Sequence, residues 1–424
     1  MAGPARLATS RPHKPRSPLS VLRAESFRNA PRTKQRCGAG FGLPPRKTDW
    51  VPDLQFVQGY KPRASHPPLL RHFYKRFLAP LFIATFLPAI LWAGDYAGQG
   101  PLITRTQQPV YLQMVNLNPD RAITLPPGLL ELRVDSAYSN VFERQSNPTY
   151  FVDLDMEVWR IGWVATYGLT ENLDAGIELP LLHFNGGFLD AFIQDYHNFF
   201  GFPNGGREKV PNGTFTYQVQ ENGQTRYRVG SQDLNIGDIT LFLKNQLLVE
   251  EDVLPAVAWR CGFKFPSGDP DKGMGSGNAG FGFGAAIEKS YKKIHGYLNL
   301  NYLVEGGNEL IENLMGTQSF DFALAGEWSF SDRLSALIQL TGGTPRLDNT
   351  GLPEWDGVPM DLIVGLKGDV PAGRFANPFF WQFGFSEDVL AKGPSVDFTV
   401  YMTIGVRFIP GKLELYKGDM WGKL

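Results

Sequence analysis

The chain has 424 residues, 43% of them hydrophobic and 13% aromatic, with 47 glycines and a formal net charge of -1. This mixture fits many strands and turns and disfavours a helical bundle. Sixteen of the 41 Lys+Arg but only three of the 42 Asp+Glu precede Gly94, so a basic front is joined to an acidic remainder.

Residues 1-70 are rich in Pro and Arg and carry almost no periodic apolar pattern, so they read as a basic unfolded leader and not as a nucleic-acid-binding domain. RHFYKRFLAPLFIATFLPAILWAGD, Arg71 to Asp95, then supplies a basic n-region, an apolar run from Phe77 to Trp92 and a small residue at Ala93. That is the anatomy of a cleaved export signal over 71-93; the run is too short to be expected as a spanning helix. Signals of this type stand at the N-terminus, so the leader reads as an upstream start-codon assignment, with the true start near Leu69 or Leu70. A retained anchor and an organelle transit peptide are the rival readings. Cys37 falls in the leader, which leaves the exported chain Cys261 alone, without a disulfide partner or a Cys-based zinc site.

Residues 94-126 are expected to form a periplasmic segment or a plug. From 127 to 408 the sequence alternates. In VDFTVYMTIGVRF, Val396, Phe398, Val400, Met402, Ile404, Val406 and Phe408 share one face, while Asp397, Thr399, Tyr401, Thr403 and Arg407 share the other. Successive side chains of a strand point to opposite faces, so such a strand separates an apolar medium from a polar one. The same pattern predicts strands near 129-142, 150-167, 173-184, 236-249, 254-265, 279-290, 294-304, 318-330, 333-343, 359-369, 375-387 and 395-408. Tight links such as Glu250 to Val253 and Tyr291 to Lys293 alternate with long Gly/Asp/Pro-rich ones such as PSGDPDKGMGSGNAG. Short turns at one end and long loops at the other are the mark of an outer-membrane barrel, whose closure leaves no unpaired edge in lipid. The fold class expected is therefore all-β: a closed antiparallel transmembrane β-barrel of about twelve strands.

YGLTENLDAGIELP, GGFLDAFIQDYHNFFGFPNGGR and IGDITLFLKNQLL, together with PLITRTQQP and SNVF, resemble an uncharacterised bacterial outer-membrane family, the domain-of-unknown-function family numbered thirty-one eighty-seven. The hairpin and Gly-Asp blocks are shared with related barrels, including the phenol meta-pathway-like group. The aromatic Asp/His block is the specific part. The resemblance spans about residues 100 to 408 and implies an outer-membrane barrel without an established substrate. IPGKLELYKGDMWGKL departs from the pattern, because barrels commonly end at the aromatic of the last strand; 409-424 is read as a C-terminal extension.

Candidate chemistry is sparse. In FLDAFIQDYHNFFG, Leu189, Phe192, Ile193, Tyr196 and Phe200 follow helical spacing, while Asp190, Gln194 and His197 line another face. This predicts a short helix in the longest extracellular loop, its apolar face in the barrel mouth or at the membrane interface and its polar face bonded to loop or lumen groups. Asp190, His197 and His183 fall short of a supported zinc site, and no metal or cofactor is expected. The glycines at 273, 275, 277 and 280 precede a strand and not a helix, so they read as a flexible loop without a phosphate site. Neither His183, His197 nor His295 stands in a hydrolase motif, and the chain is read as a non-enzyme, with an outer-membrane hydrolase as a minor alternative. Lumen parity is expected for Glu131, Arg133, Asp135, Asp153, Asp155, Glu157, Asp238, Lys244, Arg260, Lys264, Asp361, Lys367, Asp397 and Arg407. These charges either pair across a filled interior or line a water-filled passage. The functional expectation is a passive outer-membrane channel for small solutes, hydrophobic ones included. Its partners would be lipid and the barrel assembly machinery. A structural or adhesion-type barrel with a closed lumen and partner-binding loops is the alternative.

Overall fold

The computed structural model describes residues 97–410 apart from 203, 308–315, 348–349, 373–374, 389–392 and 395. The expected leader (1–70), the expected export signal (71–93) and the expected C-terminal extension from 411 on lie outside the described residues. Among the described residues no helix is long and apolar enough to cross a membrane.

The alternation becomes a ring of twelve strand positions. In chain order these are β1 (Leu130–Ser146), β2 (Tyr150–Thr170), β3 (Leu173–Asn185), a split position made of β6 (Gln232–Ile236) and β7 (Thr240–Leu248), β8 (Ala256–Lys264), β9 (Gly280–Tyr291), β10 (Ile294–Glu305), β11 (Gln318–Ser331), β12 (Leu334–Gly343), β13 (Met360–Ala372), β14 (Phe375–Asp388) and β15 (Phe398–Phe408). Each pairs antiparallel with the next, and β1 pairs with β15 from Leu130↔Phe408 to Asn140↔Phe398, which closes the barrel. The split follows from Gly237-Asp238: β3 pairs β7 in its lower part and β6 above, and between them Asp238 turns inward.

Outward residues remain exposed although they are apolar: Trp163 is 54% and Ile404 63% exposed, and Leu324, Ile338, Phe283 and Phe379 are exposed around the ring. A contiguous band of this kind is tolerated only against lipid, so the barrel is transmembrane. The short turns share one rim: Glu171–Asn172, Lys292–Lys293 and Asp332–Arg333 each join neighbours through two residues. Lys292 takes φ 57° there, the left-handed geometry that a tight hairpin demands.

Beyond the predicted strands, the longest loop carries a hairpin, β4 (Thr216–Glu221) with β5 (Gln224–Val229). Its turn is Asn222-Gly223, at φ 51° and 76°, a strong short-range hairpin signal standing between two alternating runs. β4 pairs with the upper end of β2, from Tyr150↔Glu221 to Asp155↔Thr216, and so takes over the wall where β3 stops. The β1–β2 link on the long-loop side also departs from expectation. It is only Asn147–Thr149, because both strands continue past the apolar band as a paired ribbon.

Candidate functional site

The lumen is occupied by the chain's own residues 97–129, which run up one side of the ring and down the other. Gly100 N–H donates to Glu327 at 3.1 Å near the short-turn rim. Leu102 and Ile103 each form a reciprocal pair of bonds with one glutamine amide, Gln339 at 2.9 and 3.0 Å and Gln382 at 2.8 and 3.1 Å. One glutamine thus offers a peptide unit both an acceptor and a donor, as a neighbouring strand would. At the top, Gln108 caps a single helical turn, α1 (Pro109–Leu112), accepting from Val110 and Tyr111 N–H. The descending arm is held by Glu305 on Val115 N–H at 2.6 Å, Asn299 on Asp120 N–H at 3.0 Å, Glu288 on Ala122 N–H at 2.9 Å and Asp174 on Leu125 N–H at 3.1 Å. Alternation told which residues face inward; it gave no sign that their partner would be backbone.

Charges divide the lumen into two levels. Near the short-turn rim Arg407 and Arg133 both reach Glu131, at 2.7 and 3.0 Å, and Arg133 also reaches Asp135 at 2.9 Å. Lys244 bonds Asp120 of the inner segment at 2.8 Å, and Lys367 donates to the Pro101 carbonyl at 2.8 Å. All of these but Asp135 border a cavity of about 120 Å³ between the inner segment and the barrel wall. Asp361 is also buried. Directly across from Lys244 on β8, Arg260 donates to Asn301 at 2.8 Å and to the Leu117 and Asn118 carbonyls, and the second level lies above it. Lys264, fully buried, meets Asp238 at 2.7 Å, Glu305 at 2.8 Å, Ser276 Oγ at 2.6 Å and the Gln113 carbonyl at 3.1 Å. Asp238 also accepts from Gly268 and Ser276 N–H. The glycine loop after β8, expected to be flexible, is therefore pinned across the mouth by the ion pair beneath it.

Above Lys264 the interior turns apolar. Val110, Tyr111, Leu112 and Met114 of the inner segment pack with Val152, Leu154, Met156, Phe184, Tyr217, Tyr227, Leu347 and Trp355. This core closes the long-loop end. Gln113 donates to Tyr217 and Tyr227 hydroxyls at 3.0 and 3.3 Å; burial pushes the Tyr227 phenol up to about 12 and the Tyr217 phenol well above its ordinary value.

Residues 78–408 match the family described as a protein of unknown function, DUF3187. The chain belongs to that family. Among curated proteins none matches it. Among solved structures, a COG4313 outer-membrane channel from Pseudomonas putida F1 is 15% identical and superposes with a TM-score of 0.45 over 69% of this chain and 100% of that chain. A FadL homologue from Pseudomonas aeruginosa, at 8% identity and TM-score 0.32, spans 73% of this chain and 99% of that one. Likenesses of this depth carry no functional argument.

Four of the expected lumen charges stand elsewhere in the DUF3187 chain. Above the apolar band, Asp153, Asp155 and Glu157 sit opposite Arg144, Phe142 and Asn140, while Val152, Leu154 and Met156 face the interior. The expectation inverts because beyond the bilayer the inner face meets the apolar tip of the inner segment and the outer face meets a polar loop. Asp397 precedes β15 and pairs with Arg207 of that loop, so the parity of the strand does not reach it. Burial raises the Asp397 carboxyl above its ordinary value against the pull of the Arg207 guanidinium.

The loop folds back over the outer wall and not into the mouth. Gly187, at φ 67°, lets the backbone cross directly over Glu157, whose carboxylate accepts from Phe188 N–H at 2.7 Å and from Leu189 N–H. The helix α2 (Asp190–Phe200) follows, ended by left-handed Gly201 with both Gly201 and Phe202 N–H on the His197 carbonyl. Asp190 accepts from Asn140 at 3.0 Å and from Gly213 N–H at 2.8 Å. Gln194, half-buried, donates to Asn212 at 3.1 Å. His197 is buried 3.9 Å from Glu387, with neither ring nitrogen hydrogen-bonded. His183 sits on β3 opposite Trp159, and among the described residues no group of three or more His, Cys, Asp or Glu is placed to hold a metal.

Proposed function

We propose that this protein is a gated passive channel of the bacterial outer membrane for small solutes, hydrophobic ones included, with residues 97–129 as its removable plug and with 71-93 as its cleaved export signal. The observation that supports this reading is the way the wall grips the plug. Side chains of β3 and β7–β15 bond its backbone or its side chains, and among the described residues the backbone bonds of Gly128 and Leu129 to Gly168, where the segment enters β1, are its ladder-like contact with the ring. Side-chain bonds of this kind, about 0.5–1.5 kcal/mol each and stronger where charged, can be exchanged for water one at a time. A ladder opens cooperatively. Withdrawal of the plug would expose the charged level around Glu131, Arg133, Lys244 and Arg407 and give the passage its ion preference.

A structural barrel with a closed lumen and partner-binding loops is the second reading, favoured by the apolar core that seals the mouth. Planar-bilayer conductance separates the two. The refolded chain from residue 94 is expected to open rarely and a chain starting at residue 127 to conduct steadily, with heat-modifiable gel migration confirming that both are folded. A folded truncated chain that never conducts would sink the channel reading. Neither reading assigns the chain a catalytic activity.

A further inference from the structure

We infer that α2 and the turn after it form an interfacial element that docks in the outer leaflet of the membrane, inserting phenylalanines at the boundary between acyl chains and headgroups. This stands apart from the channel reading, since it concerns the outer wall alone.

The argument begins with which face the helix turns to the protein. Asp190, Ile193 and His197 are buried against the barrel, while Phe192, Phe199 and Phe200 are exposed, Phe199 at 82%. Phe188 before the helix is 74% exposed and Phe202 after it is also exposed. Asp195 and Asn198 are exposed as well, yet a helix seated on a water-bathed surface buries its phenyl groups and presents its histidine to solvent. Nor is the arrangement loose. Glu157 holds the start of the loop, Asp190 is bonded to Asn140, and Arg207 stands over the Phe142 ring, paired with Asp397. The wall thus fixes the helix through polar groups and aims its apolar edge away from the protein.

Height gives the second, independent argument. Tyr167 and Trp159 are exposed on the outer face of β2, eight residues apart; at about 3.3 Å per residue and a tilt near 40° that is roughly 20 Å along the membrane normal. The apolar band of such barrels is ~25 Å tall, so Glu157, two residues above Trp159, lies at its upper margin. The apolar surface is continuous across that margin. Phe385 stacks on Phe398 at 6.3 Å, Phe398 meets Phe192 at 5.8 Å and Tyr196 at 6.0 Å, and Tyr196 meets Phe200 at 5.0 Å. The lipid-facing wall therefore extends onto the helix, and aromatic side chains at this depth are the usual anchors of an interface.

The test is site-directed spin labelling of the mature chain refolded into phosphatidylcholine/phosphatidylglycerol vesicles. Single cysteines replace Phe199 or Phe200 in a Cys261→Ala background, with Ile404→Cys as the lipid-facing control and Val253→Cys as the aqueous one. Collision with oxygen is compared with collision with a water-soluble nickel chelate, and gel migration verifies folding of each variant. Labels at 199 and 200 are expected to favour oxygen, with a depth between those of 404 and 253. If both labels match the aqueous behaviour of 253, the docking inference is overturned, whatever the conductance experiments give.

Discussion

Replacing Lys264 with Met tests the seat of the inner segment most sharply. The ammonium is fully buried between Asp238 and Glu305, and Glu305 in turn holds Val115 N–H. Methionine fills similar volume but leaves two carboxylates without their cation. Breaking a buried pair in this way costs about 3–5 kcal/mol. If most of that cost falls on the docked segment, the population with the segment displaced rises roughly 10²–10⁴-fold, at 1.36 kcal/mol per decade. The assay is the labelling rate of Asn116→Cys, in a Cys261→Ala background, by a water-soluble maleimide on the refolded barrel. Gel migration measured alongside reports the barrel itself. A matching neutral triple, Lys264→Met with Asp238→Asn and Glu305→Gln, is expected to recover much of the loss, because no charge is then stranded. An unchanged labelling rate in the single variant, with normal migration, would refute the claim that this network seats the segment.

Glu157→Gln is expected to weaken its bonds to Phe188 and Leu189 N–H by about 1.5–3 kcal/mol, read as faster proteolytic nicking within 186–213. Gly187→Ala should have a similar outcome for a different reason: the left-handed backbone strains any Cβ, at roughly 1–3 kcal/mol, and this one would run into the Glu157 carboxylate. The Tyr217 and Tyr227 phenols are raised by burial in the fold, so their contribution to stability is complete below the ordinary phenol value. It disappears as pH rises through the raised values, about 12 for Tyr227. Absorbance at 295 nm should therefore show the late-titrating class of tyrosines smaller by one in Tyr217→Phe and by one in Tyr227→Phe, and an unchanged late class in either variant would refute the assignment.

What the sequence disclosed follows from which constraints repeat. Lipid imposes the same demand on every outward residue between Tyr167 and Trp159, so Ile404, Phe383 and Leu324 announce their strands by alternation alone. Water and protein impose no such demand above the band. There β4 and β5 passed as loop although Asn222-Gly223 marks their turn, and Val152 and Asp153 exchanged the faces that parity assigned them. Gln339 and Gln382 carried no charge to draw notice, yet each holds the inner segment through two bonds at once. His197 and Asp190 are both buried on α2; which surface they meet depends on a loop turning outward at Gly187, a single torsion that composition does not reveal.

The path of residues 97–129 has a topological consequence. Its first residues lie beside Tyr297 and the β11–β12 turn, its last beside Gly168 at the β2–β3 turn, and its middle, α1 with Gln113 and Met114, reaches the far end. Among the described residues both arms therefore reach the same rim, and the segment doubles back inside the ring. A finger of this kind can slide into a finished barrel, or be drawn out of one, without any wall strand parting from its neighbour.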